Sequence, residues 1–417
     1  MKRVVGIVVP RWHPTVVGGA EVLGWQWATL LKSHFSVDLL TTCAVDLATW
    51  ANDLPEETKE EDGVTVRRFR VSQGRTPYWH QLHVRLLADC SELVAQSDGQ
   101  APRQLAWSQA LQEEFIRRQG PYSAALSGFL AREWRQYHAL IFLPYLYPTT
   151  YFSVRLIPRS LFVLAPLLHD EAPAHMPVYG HMARRARAVL WNTPAERSFG
   201  ESIWGQLPGR IAGMGIDTKQ RQPALVGSPY LLYCGRIDPH KGCDLLVDYF
   251  LRYKQEKRSP LRLVLTGKDE LGLPSHPDID FRGFVSEEEK FELMAGARLF
   301  VLLSPYESLS ISTLEAMAQK TPVLVSAKAA VLVEHVRQSG DGFACHDYQD
   351  FAHAIDQMLV ESGAALHMGE RGRDYVLANY SRDRVQAALV KTIEEIEPGS
   401  IPEGLRTDDA ADLWGLK

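Results

Sequence analysis

The sequence predicts an α/β protein built from two Rossmann-like blocks in series, each a parallel sheet covered by helices. Three observations predict it. Strand and helix patterns alternate along the chain. The strand patterns are continuous apolar runs, as in strands buried on both faces, and do not alternate apolar with polar. The 417 residues also exceed a single domain, at about 150 residues per domain.

The first series opens on the apolar run Val4–Val9. A turn at Gly18-Gly19 follows, then a helical stretch from Ala20 to Lys32. Val37–Leu40 and Val64–Phe69 read as further strands, and Pro77 to Trp134 as mostly helical. Ala139–Leu143, Leu161–Ala165 and Val189–Trp191 resume the strand pattern. The second series holds Leu231–Cys234, Leu261–Thr266, Leu299–Leu303, Val323–Val325 and Gly342–Ala344, with helical stretches between. Its last helix is expected over Arg382–Ile396. The segment Gln220–Ser228 lacks periodicity and contains Pro and Gly, which places a boundary there. The expected domains are 1–222 and 223–396, with 397–417 a coil-like tail.

Composition narrows the function classes. With 46% apolar and 23% charged residues the chain can bury a core, so wholesale disorder is excluded. No apolar run is long enough to span a membrane; His138–Leu168 is broken by Pro144, Pro148, Arg155, Pro158, Arg159 and Pro166. The start, MKRVVGIVVP, is too short and strand-like for a secretory leader. Five scattered cysteines with no C-x-x-C argue against a disulfide framework or a structural zinc, and for a reducing cytosol. Residues 1–222 carry a net +4 and the remainder −9. Neither half is a dedicated nucleic-acid binder. The basic half could lean toward an acidic acceptor or an anionic membrane surface.

In open parallel sheets ligands bind beyond the carboxyl ends of the strands, so the loops there carry the chemistry. In Trp12–Glu21, Gly18 and Gly19 precede a helix and let backbone approach an anionic ligand. The run is not G-x-G-x-x-G, which disfavours a dehydrogenase. In Tyr233–Gly242, Arg236 offers a planar fork and Lys241 a point charge, a pair suited to a diphosphate. It is not a Walker A loop. In Glu307–Glu315, two carboxylates serve different parts of one elongated ligand, and the N–H groups of Leu309 and Ser310 face an anion at a helix start. A carboxylate accepting from vicinal hydroxyls is a common ribose holder. His169-Asp170-Glu171 is a polar triplet at a strand end. Asp278-Ile279-Asp280 spells D-x-D, but it precedes a short strand at Phe281–Gly283, and a single acid pair is a poor metal site.

These residues together resemble the family-four glycosyltransferases of GT-B fold, and the match runs over most of the chain. The strongest piece is E-x7-E at Glu307 and Glu315. With it come Gly235-Arg236, Lys241-Gly242, Phe281-Arg282-Gly283-Phe284-Val285, Leu314-Glu315-Ala316-Met317-Ala318 and Thr321-Pro322-Val323. The first half, with VVGGAEVL, IFLPYLYPTTYF, LLHDE and WNTPAERSF, resembles a bacterial surface-polysaccharide subgroup, and Gly213–Asp217 the end of the family's first domain. The resemblance implies two parallel sheets facing a central cleft. It implies retention of anomeric configuration and a nucleotide-sugar donor, UDP-linked first and GDP-linked second. It implies a glycan or lipid-linked glycan acceptor; with no credible ligand cluster in the sequence, neither cofactor nor metal is expected. Arg236 and Lys241 would hold the donor diphosphate, Glu315 the ribose and Glu307 the sugar hydroxyls. Val285 would meet the base through its backbone, and His169 would face the donor sugar. The enzyme would be cytoplasmic, with peripheral contact at the inner membrane face, toward which Arg184, Arg185 and Arg187 could contribute. Ser308 and Ser310 stand where the family often has glycine, and Gln319-Lys320 replaces a more usual residue-Gly pair. A sugar-nucleotide epimerase and an inactive nucleotide-sugar-binding protein are the alternatives.

Overall fold

The computed structural model describes residues 2–16, 18–96, 105–360 and 362–396. The expected tail, 397–417, lies outside them. The first sheet contains β1 (Val4–Val8), β2 (Ser36–Thr42), β3 (Thr58–Glu61), β4 (Val64–Phe69), β5 (Tyr137–Phe142), β6 (Phe162–Leu164), β7 (Ala188–Trp191) and β8 (Gly209–Ile211). The second contains β9 (Tyr230–Cys234), β10 (Arg262–Thr266), β11 (Ile279–Phe281), β12 (Leu299–Leu302), β13 (Val323–Ser326) and β14 (Phe343–Cys345). Strand order is β3-β4-β2-β1-β5-β6-β7-β8 in one and β11-β10-β9-β12-β13-β14 in the other. Every pairing is parallel except β3 with β4. The order reverses between β1 and β5 and between β9 and β12, and such switch points open the crevices where ligands sit. The loops after β1, β9 and β12 border them.

Two strands escaped the apolar pattern. β3 reads TKEE and is an edge strand, where charge guards against stray pairing. β8 reads GRI and has only three residues. The expected strand Phe281–Gly283 lies two residues earlier, at β11, so Asp280 is inside the strand and not ahead of it.

The expected boundary at 222/223 falls between β8 and β9. The assignment of all of 223–396 to the second domain is amended at its end. The helix Arg382–Glu394 returns to the first sheet's side: Gln386 Nε2 donates to Ser33 Oγ at 3.0 Å, and Arg210 pairs with Glu395 at 2.6 Å. Near the crossover, Trp27 Nε1 donates to Gly213 O at 2.9 Å and Gln26 clasps Gly215 through both backbone groups at 2.6 Å. Gly213 sits at φ +66, where an added Cβ would come 2.9 Å from the Tyr380 ring, so glycine is required there.

Candidate active site

The cation loop is shaped by its own turn chemistry. Asp238 caps the short turn Pro239–Lys241, accepting from Lys241 N at 2.9 Å. Its other oxygen takes Arg236 Nε. Gly242 follows at φ +69, and a Cβ there would lie 2.3 Å from Leu303 O, so the loop can pass β12 only with glycine. Arg236 is half exposed, with Glu270 at 4.0 Å as a second acid. Lys241 Nζ reaches Glu307 Oε1 at 2.7 Å. The structure thus joins the cation loop to the acidic loop, a contact that the sequence did not indicate.

The acidic loop is held from beneath. The helix over Ile311–Ala318 starts just after Ser310, which lies at φ +62 in the left-handed region. That conformation costs an L-residue about 1–2 kcal/mol, which explains why glycine is usual there. Ser310 Oγ meets Thr313 Oγ1 at 2.7 Å. Leu309 O accepts from His335 Nε2 at 2.8 Å, and Tyr375 OH lies 3.0 Å from the other ring nitrogen. Burial pushes the His335 ring down to about 4, so it is neutral at pH 7. Its Nε2–H therefore donates to the carbonyl and Nδ1 accepts from Tyr375.

Glu315 lies deeper along the same helix and pairs with Lys290 at 3.0 Å. Burial raises the Glu315 carboxyl, and the ammonium pulls it back. Lys290 also holds Glu287 at 3.0 Å. Val285 is half-buried in the turn after β11, which Gly283 O ties to Gly267 N at 2.8 Å. Its neighbour Phe284 is 76% exposed.

From the first sheet, His169 and Glu171 reach the cleft. His169 Nε2 is 3.5 Å from Glu171 Oε2, whose partner oxygen accepts from Tyr145 OH at 2.7 Å. The His169 ring stands 6.1 Å from the ring of Tyr306, beside Glu307. A cavity of about 620 Å³ spans the two sides and is lined by His169, Glu171, Phe199, Tyr306, Glu307 and Lys328 among others. The loop before His169 hangs on Glu196, a buried carboxylate that accepts from Leu168 N at 2.6 Å and from Asn192 N. Burial pushes Glu196 up to about 8 against these N–H groups. A carboxyl raised in the folded state stabilises fully below its unfolded value, 4.5, and loses that contribution as pH climbs through about 8. The Tm of the native chain relative to Glu196→Gln is expected to fall across that window, as calorimetry can follow. A difference independent of pH would refute this.

Gly18 and Gly19 play unequal parts. A Cβ on Gly18 would lie 2.2 Å from Glu21 Oε2, so its space is already taken by the carboxylate that pairs with Arg11. Gly19 begins the helix Gly19–Leu31 with open space around it. The structure gathers His169 and Glu307 in one cavity, with Lys241 on Glu307 and Arg236 on the same turn. Val285 follows the edge strand β11, and Glu315 lies on the helix after β12, joined through Lys290 to the helix that follows Val285. Asp278 pairs with Lys254 at 3.0 Å and Asp280 with Arg282 at 3.2 Å. Among the described residues no three His, Cys, Asp or Glu gather to hold a metal ion. The arginine run precedes β7, at the amino edge of the sheet and away from this cleft. Arg184 there donates to Trp204 O at 2.9 Å, and Arg185 is half-buried. Sequence reading missed Asp238, Lys290, Tyr306, Glu196 and His335. Lys290 alone left a signal, as the single cation in the acidic helix Glu287–Gly296.

Residues 216–375 match the family model described as Glycosyl transferases group 1. Sucrose-phosphate synthase from Thermosynechococcus elongatus superposes with a TM-score of 0.67 at 15% identity, over 95% of this chain and 99% of that one. HepE from Anabaena, solved with UDP and glucose, gives 0.64 at 14%, over 94% and 100%. The fold is GT-B. Two GT-B halves thus frame the cavity at His169 and Glu307. In sequence the chain is 25% identical over 177 residues to the lipopolysaccharide core biosynthesis glycosyltransferase LpsE of Rhizobium meliloti, covering 40% of this chain and 50% of that protein. It is 32% identical over 194 residues to the GDP-mannose-dependent alpha-(1-6)-phosphatidylinositol dimannoside mannosyltransferase of Mycobacterium tuberculosis, covering 44% and 47%. The chain spans about half the length of these curated relatives.

Proposed function

We propose that the chain is a retaining glycosyltransferase of family four, moving a hexose from a nucleoside-diphosphate donor to a hydroxyl of a glycan or glycolipid. UDP-sugar is the first donor choice and GDP-sugar the second. The contact that carries this reading is Lys241 on Glu307, opposite His169, where the two halves meet. The family model over the second half supports it, as do relatives named for lipopolysaccharide core synthesis and for GDP-mannose. Those names also support a role in surface-polysaccharide assembly. The site of action is the cytoplasm, against the membrane's inner face; among the described residues no helix is long and apolar enough to cross a membrane.

Charge explains the chemistry. As the bond from the sugar's anomeric carbon to phosphate breaks, its electrons pass to the diphosphate and positive charge grows on the ring. Lys241 and Arg236 stabilise the former, and the Glu307 carboxylate the latter. The acceptor oxygen bonds to the anomeric carbon from the leaving-group face, and its proton passes to the departing phosphate.

Thermal stabilisation by UDP- and GDP-sugars tests the reading, since a ligand at about 100 times Kd adds about 2.7 kcal/mol to native stability. One class should raise Tm; no shift with either would overturn the proposal. Arg236 and Lys241 are also expected to do the neutralising that a divalent ion does elsewhere. Activity should therefore survive EDTA. Loss on chelation, restored by Mn²⁺, would instead revive Asp278 and Asp280 as ligands.

A further inference from the structure

The helix Pro77–Gln96 presents one face to the cavity, where Leu87, Cys90 and Ser91 join its lining. Four and eight residues before Leu87, on that same face, come His83 and Trp79. Their rings stack with centroids 4.7 Å apart at 20°. The Arg75 guanidinium lies over the other end of this stack, 4.4 Å from the centroid of Trp79, which is itself buried in the core. From Trp79 to Leu87 the helix rises about 12 Å, a span that a short oligosaccharide covers.

Arg75 is half-buried, yet no carboxylate pairs with it among the described residues. Its Nε donates to Gln119 O at 3.4 Å, and the two terminal nitrogens make no hydrogen bond among the described residues. Several shielded arginines are matched, Arg11 by Glu21, Arg67 by Asp38 and Arg221 by Asp217, whereas Arg185, far from the cleft, shares the lack of a carboxylate. Burial lowers the Arg75 pKa, against a weaker opposing pull from Tyr147 and Asp46. A guanidinium stays charged regardless, so this one is partly desolvated with only an aromatic face and a carbonyl, and no carboxylate, to offset it. His83 adds no second charge, because burial lowers its ring against the pull of Glu171. Arg75 follows β4 at the carboxyl edge of the first sheet, the edge that also carries His169.

We propose that Arg75, just before this helix and packed on Trp79, receives an anionic group of the acceptor while the acceptor's reactive hydroxyl sits in the cavity at His169. The group is a carboxylate, as on a uronic acid, or a phosphate ester. This rests on the glycosyltransferase reading. The test is calorimetric titration of the full chain, saturated with UDP or GDP, using glucose, glucuronate and glucose 6-phosphate. At least one charged sugar should bind about tenfold or more tighter than glucose, as a charge-assisted hydrogen bond allows. The stronger of the two tells carboxylate from phosphate. Arg75→Gln should abolish the preference and Arg75→Lys keep part of it, with nucleotide affinity unchanged as the control for folding. Equal or undetectable binding of all three sugars, or a preference that survives Arg75→Gln, would overturn the subsite alone. Failure of the native chain to bind either nucleotide would overturn the underlying reading, and the subsite with it.

Discussion

Glu307→Gln is expected to lower kcat by about 10²–10³-fold while leaving the donor KM nearly unchanged. The carboxylate is 11% exposed, with one oxygen on Lys241 and its side chain lining the cavity. In the ground state the donor sugar is neutral, so Glu307 meets only its hydroxyls. During transfer the ring gains positive charge and the contact strengthens. An interaction that grows in this way appears in kcat. The amide keeps the shape and removes the charge. It also frees Lys241 from its only carboxylate partner among the described residues, so a diphosphate should bind at least as well as before. His169→Ala should resemble Glu307→Gln, because His169 lines the same cavity from the other half and is proposed to face the same sugar. Lys241→Ala differs: the diphosphate is charged before and during transfer, so KM should rise as kcat falls. Steady-state kinetics with the donor found by thermal shift separates these patterns. A Glu307→Gln enzyme altered only in KM would remove the carboxylate from the transition state.

The parts of the fold legible in the sequence were those with a local cause. β1 and β12 are apolar throughout because helices cover both faces, and their positions follow from that pattern. β3 left no such trace, since an edge strand satisfies itself with charge. The helix Arg382–Glu394 was visible, but its partner was not: an amphipathic face does not state which half of the molecule it covers. The site divides similarly. Arg236, Lys241, Glu307 and Glu315 could be read because each stands in a loop or helix start beside a strand end. Which of them pair, and with what, could not, because the contacts that join the loops are long-range. Lys241 meets Glu307 across 66 positions, and Lys290 meets Glu315 across 25. Ser310 shows the converse: its departure from glycine was plain in sequence, but only the backbone, at φ +62, gave it a cost.

Glu315→Ala is expected to weaken UDP or GDP binding by roughly 10–100-fold, the loss of hydrogen bonds to a charged group at about 1.5–3 kcal/mol. Glu307→Gln should bind the same free nucleotide like the native chain, because the nucleotide lacks the sugar that Glu307 is proposed to touch. The ribose does not react, so the Glu315 contact should be similar in ground and transition states and should appear chiefly in donor KM. Lys290 complicates the experiment. Its side chain is 17% exposed and Glu315's 13%, so alanine leaves a shielded ammonium with only the exposed Glu287. Removing one partner of a buried pair can cost about 3–5 kcal/mol of stability. Glu315→Gln, which keeps an acceptor for Lys290, separates the two effects: it should fold like the native chain and still lose nucleotide affinity. Lys290→Met supplies the reverse control, since it leaves the proposed ribose acceptor in place. Calorimetric titration of all four variants with UDP and GDP measures the contrast. Equal loss of affinity in Glu307→Gln and Glu315→Gln would overturn the division of the two glutamates between sugar and ribose.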